Sequence, residues 1–168
     1  MAVQFLIRPF VSLDLEPLRT LRNEIIRDTH FIYENEIWDT VHAAHWFEEL
    51  TRDGRIAITA ESCGQFIGCC YASYFRRVSA SRGIAEISVY ITQEYRRAGI
   101  AHALVTEMEG LLAKQNFFGM MAVIDSENSP AIQLFEDLDF RTIGDIHQAA
   151  LLRGSWRTAR MMHKQIPT

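Results

Sequence analysis

A strand pattern and a helix pattern meet at a loop that contains two arginines and a glycine. The segment Glu86–Val105 is EISVYITQEYRRAGIAHALV, in which the strand pattern ends near Ile91 and the helical spacing begins near Gly99. The N-terminus of a helix leaves backbone N–H groups unpaired and carries a partial positive charge, so it attracts phosphate oxygens. Glycine lets the backbone approach such an anion closely. The loop RRAGIA, residues 96–101, is therefore a candidate phosphate site, although an ordinary turn with surface arginines also explains it.

Strand and helix patterns follow one another along the chain in the order β-α-α-β-β-β-α-β-α-β-β. Strand patterns cover residues 3–10, 55–61, 66–75, 84–91, 117–124, 140–151 and 156–166, and helical patterns cover residues 12–28, 40–52, 100–114 and 128–138. We expect Ser12 to cap the first helix and Asp53–Gly54 to end the second. Asn128 or Ser129, followed by Pro130, should begin the fourth. This order predicts an α/β domain with a mixed sheet.

Composition limits the class of protein. The chain has 168 residues, of which 48% are hydrophobic and 23% charged, so we expect one globular domain over residues 1–168. The net charge of −4 argues against a broad surface for nucleic acid. No uncharged apolar run is long enough for a membrane span, and the first residues lack a signal-peptide pattern. We therefore expect a cytoplasmic protein with no membrane or nucleic-acid partner.

Cysteine and histidine positions give no metal or disulfide pattern. The three cysteines, Cys63, Cys69 and Cys70, fit neither a disulfide framework nor a C-x-x-C zinc motif, so we expect them to be reduced and structural. His42 and His45 could share a helix face with Glu49, but no further cluster supports a site. We predict that the protein binds no metal.

The loop motif resembles a known cofactor loop. The chain has no G-x-x-x-x-G-K-[ST] and no G-x-G-x-x-G, which excludes the P-loop and the dinucleotide fingerprint. Its R-x-x-G-x-A, residues 96–101, resembles the pyrophosphate loop of the GNAT superfamily of N-acetyltransferases, [QR]-x-x-G-x-[GA]. Together with EISVYI (86–91), IDSEN (124–128) and GSW (154–156), it is similar to the phosphinothricin or methionine sulfoximine acetyltransferase branch. The resemblance implies the GNAT-type acyltransferase fold, with a mixed, mostly antiparallel central sheet flanked by helices.

The resemblance also implies acetyl-CoA as co-substrate. In this superfamily the pantetheine arm pairs with the main chain of the fourth strand, and the pyrophosphate binds the amides of the loop and the helix that follows. A polar residue after the fifth strand contacts the arm. The implied cofactor contacts in this chain are Val89, Tyr90, Ile91, Arg96, Arg97, Ala98, Gly99, Ile100, Ala101, His102 and Asn128.

Glu86 is the implied catalytic residue. The resemblance places it at the substrate end of the strand, as the general base that takes a proton from the ammonium group directly or through a water. The structural alternative is a strand glutamate that pairs with an arginine such as Arg82 or faces solvent. Many relatives have a tyrosine, and this branch usually a histidine, at the position of Phe135 to protonate the thiolate. Phenylalanine cannot, so we expect water or the amine's own proton to do so.

The residues that bind the substrate are less fully matched. In this family the segment that corresponds to His30–Trp38 forms a wall of the amine pocket, which implies contacts from Phe31 and Tyr33. Arg76 and Arg82 partly match an arginine loop and could bind an acidic group, or could equally be a solvated hairpin end. The segment LLRGSWRT (151–158) lacks the lysine and aspartate of the branch, so the resemblance does not identify phosphinothricin as substrate.

These observations predict an N-acetyltransferase that moves acetyl from acetyl-CoA to the primary amine of a small molecule, an amino acid or an analogue such as methionine sulfoximine. The transfer should be direct, without an acyl-enzyme. Two alternatives stay open: acetylation of a protein N-terminus or lysine, and a non-catalytic sensor that binds acyl-CoA. The family also implies a homodimer.

Overall fold

A computed structural model of the protein describes residues 3–52, 55–76 and 83–167. The strands are β1 (Leu6–Pro9), β2 (Ile56–Ser62), β3 (Gln65–Tyr74), β4 (Ile84–Ile91), β5 (Gly119–Asp125), β6 (Arg141–Leu152) and β7 (Ser155–Gln165). The helices are α1 (Leu15–Asp28), α2 (Thr40–Arg52), α3 (Ile100–Lys114) and α4 (Ser129–Asp137). The predicted α/β order is confirmed. No helix in the described ranges has the length and apolar character that crossing a membrane requires.

The start of α1 differs from the prediction. Ser12 does not cap this helix, because Ser12–Asp14 form a 3-10 turn and α1 begins at Leu15. The buried carboxylate of Asp14 accepts hydrogen bonds from the Val11 amide at 2.9 Å and from both terminal nitrogens of Arg8 at 2.7 and 2.8 Å. These contacts hold the tighter turn. The predicted stop of α2, Asp53–Gly54, lies outside the described residues.

The seven strands form one sheet in the order β1-β2-β3-β4-β5-β7-β6. Five of the six pairings are antiparallel, and only β4 and β5 pair in parallel. The expected mixed, mostly antiparallel sheet is therefore confirmed. The β2–β3 pairing is the predicted hairpin.

Side chains of β4 alternate between two different environments, as the strand period requires. Ala85 and Ile87 are buried in the main core, where Leu104 and Met108 of α3 pack against the sheet. On the opposite face Glu86, Ser88 and Tyr90 point toward the side that α1 covers. The strand thus supplies core packing with one set of side chains and leaves the other set for a site.

The cysteines have the predicted state. Cys69 and Cys70 are buried in β3, Cys63 is exposed in the hairpin turn, and all three are free. Burial raises the pKa of the Cys70 thiol, which keeps it protonated.

Candidate active site

The two central strands separate after a short paired stretch. Ladder pairs join Ile84 to Gly119, Ala85 to Met120 and Glu86 to Met121, and none follows, although both strands lie wholly in the described ranges. The other edge of β4 remains paired with β3 as far as Ile91. From Ser88 onward, β4 therefore has unpaired backbone groups on the side of β5, where an extended ligand can bind as an added strand.

The loop after β4 leads directly into the N-terminus of α3. A 3-10 turn, Gln93–Tyr95, is followed by Arg97 and Gly99, which have φ values of 61° and 79°. No side chain caps the first turn of α3, although the whole loop is described. A Cβ built on Gly99 would meet nothing within 4 Å, so the space in front of the helix is open. Free amides, open space and nearby arginines fit a diphosphate.

The other predicted cofactor contacts lie at the same opening. Val89, Tyr90 and Ile91 lie in the part of β4 that has no strand partner on the β5 side, and there the Arg96 Nε donates to the Ile91 carbonyl at 3.3 Å. Asn128 caps α4, and its Oδ1 accepts from the Ala131 amide at 3.3 Å. The structure therefore brings the strand and loop contacts together, with Asn128 just beyond the end of β5.

A cleft of about 300 Å³ adjoins this opening on the α1 side of the sheet. It is lined by six aromatic residues, four charged residues and two aliphatic ones. They are Phe31, Tyr33, Trp38, Trp46, Tyr71 and Tyr90, then Arg22, Glu34, Glu86 and Asp125, and finally Ile32 and Val123. Phe31 and Tyr33, the predicted substrate contacts, thus line the same cleft as Glu86. Arg76 is exposed and is not among the lining residues, and Arg82 lies outside the described residues.

Glu86 lies at the point where β4 and β5 separate. It is opposite Met121 in the last ladder pair, and its side chain, which is half-buried, lines the cleft. Burial raises the pKa of this carboxyl above its ordinary value. A carboxylate that is poorly solvated binds a proton more tightly, so Glu86 is a stronger base than an exposed glutamate.

Arg22 of α1 organises the floor of the cleft. Its Nη2 donates to Glu34 at 2.8 Å, and its Nη1 donates to the hydroxyls of Tyr71 and Tyr90 at 3.1 and 3.0 Å. The guanidinium also lies 4.0 Å from the centre of the Trp38 ring. Arg22 is only 3% exposed, so its charge depends on these partners.

The segment between α1 and α2, residues 29–39, forms one wall of the cleft and is fixed at both ends. Asn23 bonds the backbone of Trp38 twice, each time at 2.8 Å. Asn35 donates to the Leu151 carbonyl at 3.1 Å, and Arg153 donates to the carbonyl of Thr29 at the start of the segment. This wall is therefore held in place by protein contacts.

A buried ion pair closes the end of the cleft near β5. Arg157 of β7 donates to Asp125 at 2.7 and 2.9 Å, and also pairs with Glu127 at 2.8 Å. Burial opposes ionisation of Asp125, but its bonds with Arg157 more than offset that effect and lower its pKa. Tyr33 donates to the Thr158 carbonyl at 3.0 Å, which fastens the wall to β7.

Comparison with known proteins agrees with this geometry. Residues 18–140 match the acetyltransferase (GNAT) family. The chain belongs to this family. An L-methionine sulfoximine/L-methionine sulfone acetyltransferase of Pseudomonas aeruginosa is 28% identical over 146 residues, which cover 85% of this chain and 84% of the relative.

Two solved acetyltransferase structures share the fold over nearly the whole chain. A phosphinothricin acetyltransferase of Sinorhizobium meliloti in complex with acetyl-CoA superposes with a TM-score of 0.91 at 28% identity, covering 99% of this chain and 89% of that one. A ribosomal-protein-alanine N-acetyltransferase of Brucella melitensis also has a TM-score of 0.91 at 28% identity, covering 95% of this chain and 99% of that one. The resemblance to the phosphinothricin and methionine sulfoximine branch is confirmed.

As a GNAT acetyltransferase, the protein takes its acetyl group from acetyl-CoA. The free amides at the start of α3 and the unpaired edge of β4 fit the diphosphate and the pantetheine arm of that molecule. No cluster of histidine, cysteine, aspartate or glutamate suitable for a metal ion occurs among the residues described.

Phe135 belongs to the core. It is 4% exposed and packs edge-to-face on Phe140, with 4.9 Å between the ring centres. It has no proton to donate, so it cannot protonate a thiolate.

Sequence reasoning missed part of the cleft. Arg22 follows Leu18 by four residues and precedes Ile26 by four, which places it on the buried face of α1. A charged residue on the buried face of a helix indicates a polar site, and Arg22 could have been recognised in this way. Trp46 and Tyr71 gave no such signal, because an aromatic residue at either position is equally compatible with core packing.

Proposed function

We propose that the protein acetylates the primary amine of an amino acid or a close analogue, and that Glu86 is the general base. The observation that carries this proposal is the position of Glu86, a half-buried carboxylate with a raised pKa at the point where β4 and β5 separate. The substrate class is supported by the relatives, which act on methionine sulfoximine, methionine sulfone and phosphinothricin.

The size and charge of the cleft support a small cationic acceptor. A volume of about 300 Å³ is at the small end of the range for ligand pockets. Glu34, Glu86 and Asp125 bring three carboxylates to the lining, against Arg22 and the adjacent Arg157. This excess of negative charge favours an ammonium group, and the aromatic lining favours the carbon chain attached to it.

The reaction requires the acceptor nitrogen to lose a proton before it attacks. Glu86 accepts that proton, directly or through a water, and the nitrogen lone pair then forms the new bond to the acetyl carbon while the carbon–sulfur bond breaks. Backbone groups of β4 orient the two reactants. Since Phe135 cannot donate a proton, the departing sulfur takes one from water or from the attacking amine.

A second candidate function is acetylation of a protein N-terminus. The observation that favours it is the similarity to the Brucella melitensis ribosomal-protein-alanine N-acetyltransferase. A small cleft closed by the 29–39 segment suits a free amino acid better than an extended chain.

The test measures thiol release from acetyl-CoA with methionine sulfone, methionine sulfoximine, phosphinothricin and an N-terminal alanine peptide. We expect turnover with at least one amino-acid analogue and little with the peptide. The reverse preference would support the second candidate, and no release with any acceptor, despite bound acetyl-CoA, would indicate a sensor.

The base assignment is tested with Glu86→Gln. We expect turnover to fall by about 100-fold or more with nearly normal acetyl-CoA binding. Glu107→Gln, an exposed glutamate of α3, is the matched control and should retain full turnover. Unchanged turnover of Glu86→Gln across the pH range would exclude Glu86 as the base.

We also propose a homodimer. It is supported by the exposure of apolar side chains on the last two strands, Ile143 at 56%, Ile146 at 47% and Trp156 at 58%. Light scattering would measure the mass, and a monomer at micromolar concentration would refute it. The cytoplasmic location and the assignment of residues 1–168 to one domain remain predictions.

A further inference from the structure

The hydroxyl groups on the floor of the cleft carry one more proton than the protein has acceptors for there. Arg22 Nη1 donates to both Tyr71 and Tyr90, so each phenolic oxygen accepts one bond from the guanidinium. The two hydroxyls lie 3.4 Å apart and can form one bond with each other. Two phenolic protons therefore have one mutual acceptor, and one proton is left over.

Neighbouring groups do not change that count. Ser88 lies opposite Tyr71 in the strand pairing, and a serine hydroxyl has one proton and two acceptor lone pairs, so if it accepts a bond from Tyr71 its own proton becomes the one left over. Within the described ranges, the Tyr90 hydroxyl makes no other hydrogen bond than those with Arg22 and Tyr71. Because both tyrosines line the cleft, the spare proton is available to a ligand there.

The charge of this cluster is balanced. The positive guanidinium of Arg22 is paired with Glu34 at 2.8 Å. A ligand oxygen at the phenols therefore meets a hydrogen-bond donor polarised by Arg22, with a carboxylate also nearby. This environment suits a neutral but strongly polar ligand oxygen, such as a sulfonyl oxygen, better than a ligand carboxylate, which the negative charge of Glu34 would repel.

The distance to Glu86 decides which oxygen of an acceptor can reach the phenols. Glu86 and Tyr90 project from the same face of β4 and are four residues apart, which is about 13 Å along the strand. This separation is between Cα atoms. Tyr71 lies opposite Ser88, two residues from Glu86, and its hydroxyl is 3.4 Å from that of Tyr90, so the phenol pair lies about 7–13 Å from Glu86 along the strand. An α-carboxylate lies only about 3 Å from its amine, whereas an oxygen five bonds away extends to about 6 Å.

We propose that the phenol pair, Tyr71 and Tyr90 backed by Arg22, recognises a neutral polar oxygen on the side chain of the acceptor, about five bonds from the amine. This inference rests on the proposed function and makes it more specific, since it assigns the residues that select an oxidised side chain over a plain one. Methionine sulfone has such an oxygen and methionine does not, so the two form a matched pair of ligands.

The experiment is calorimetric binding of methionine sulfone and methionine to the full chain with saturating coenzyme A, which permits binding without transfer. We expect the wild-type protein to bind the sulfone about tenfold more tightly than methionine, the effect of one polarised hydrogen bond. Tyr90→Phe should reduce that ratio to about threefold or less, and the Tyr71→Phe/Tyr90→Phe double variant should remove it. Tyr74→Phe, which stacks on Phe117 outside the cleft, is the control and should keep the wild-type ratio.

Three results would overturn the proposal: equal affinities in the wild-type protein, an unchanged ratio in every phenol variant that folds, or equal weakening of both ligands. Circular dichroism identifies any variant that does not fold. If the double variant does not fold, the affinity ratio of Tyr90→Phe alone decides the test. Thiol release is measured separately. Selective binding without transfer would refute the proposed function and leave the oxygen recognition intact.

Discussion

Replacing glycine by alanine should have opposite effects on stability at two positions, Gly99 at the start of α3 and Gly110 in its middle. Gly99 has φ of 79°, a left-handed conformation that costs an alanine about 1–2 kcal/mol. Gly110 is an exposed helical residue, where alanine is favoured by about 0.5–1 kcal/mol. A Cβ at either position would meet nothing within 4 Å, so neither value includes a steric clash. The free energies of unfolding of Gly99→Ala and Gly110→Ala should therefore differ by about 2 kcal/mol.

Urea unfolding measures this difference, and thermal unfolding should show the two variants about 4–8 °C apart, with wild type between them. Binding is the second readout. The methyl group of Gly99→Ala would occupy the open space before the first amides of α3, so calorimetry should show weaker coenzyme A binding, by about tenfold. Gly110→Ala should bind coenzyme A normally. Stability changes of the same sign would refute the conformational reasoning, and unaltered binding by Gly99→Ala would refute the placement of the diphosphate.

The other predictions concern buried groups. Burial raises the pKa of Glu86, so the folded protein keeps the proton on this carboxyl to higher pH than the unfolded chain does. Glu86→Gln should therefore be more stable than wild type at pH 7. Thermal unfolding should show that this difference in stability vanishes below about pH 4, where the glutamate is protonated in both states. Asp125→Asn should cost about 3 kcal/mol in urea unfolding, because it removes the main partner of buried Arg157. Asp145→Asn, which breaks an exposed arginine pair of similar geometry, should change stability little, and equal losses in the two variants would contradict the role of burial. Phe135→Leu should lower the free energy of unfolding by about 1 kcal/mol and leave turnover per folded molecule within about twofold of wild type. A larger loss of turnover would show that this side chain has a role beyond packing.

Local patterns predicted most elements well. The bounds of α2 and α3 agree with the helical patterns, and the β2–β3 hairpin was predicted from two apolar runs around a turn. Ser12 was the clear error. The turn there depends on Asp14, whose carboxylate also accepts a hydrogen bond from Thr59 at 2.9 Å, 45 residues away. No local pattern contains that contact.

The candidate site divides in the same way. Glu86 and the loop at residues 96–102 could be recognised in the sequence, because a strand, a glycine and a helix start are adjacent along the chain. Arg76 could not be placed reliably, since the loop matches its relatives only in part, and the structure leaves it exposed outside the cleft. Arg22 was overlooked, because its partners Tyr71 and Tyr90 are 49 and 68 residues away.

By itself the sequence determined the order of strands and helices, the family resemblance and the loop that suits a diphosphate. Each depends on side-chain periodicity or on the backbone freedom of one glycine, which are properties of neighbouring residues. Only the tertiary structure decided where β4 and β5 separate and which side chains line the cleft. Those features depend on strand register and on the path of residues 29–39, which bring Arg22, two tyrosines and Glu86 to one cleft from distant parts of the chain.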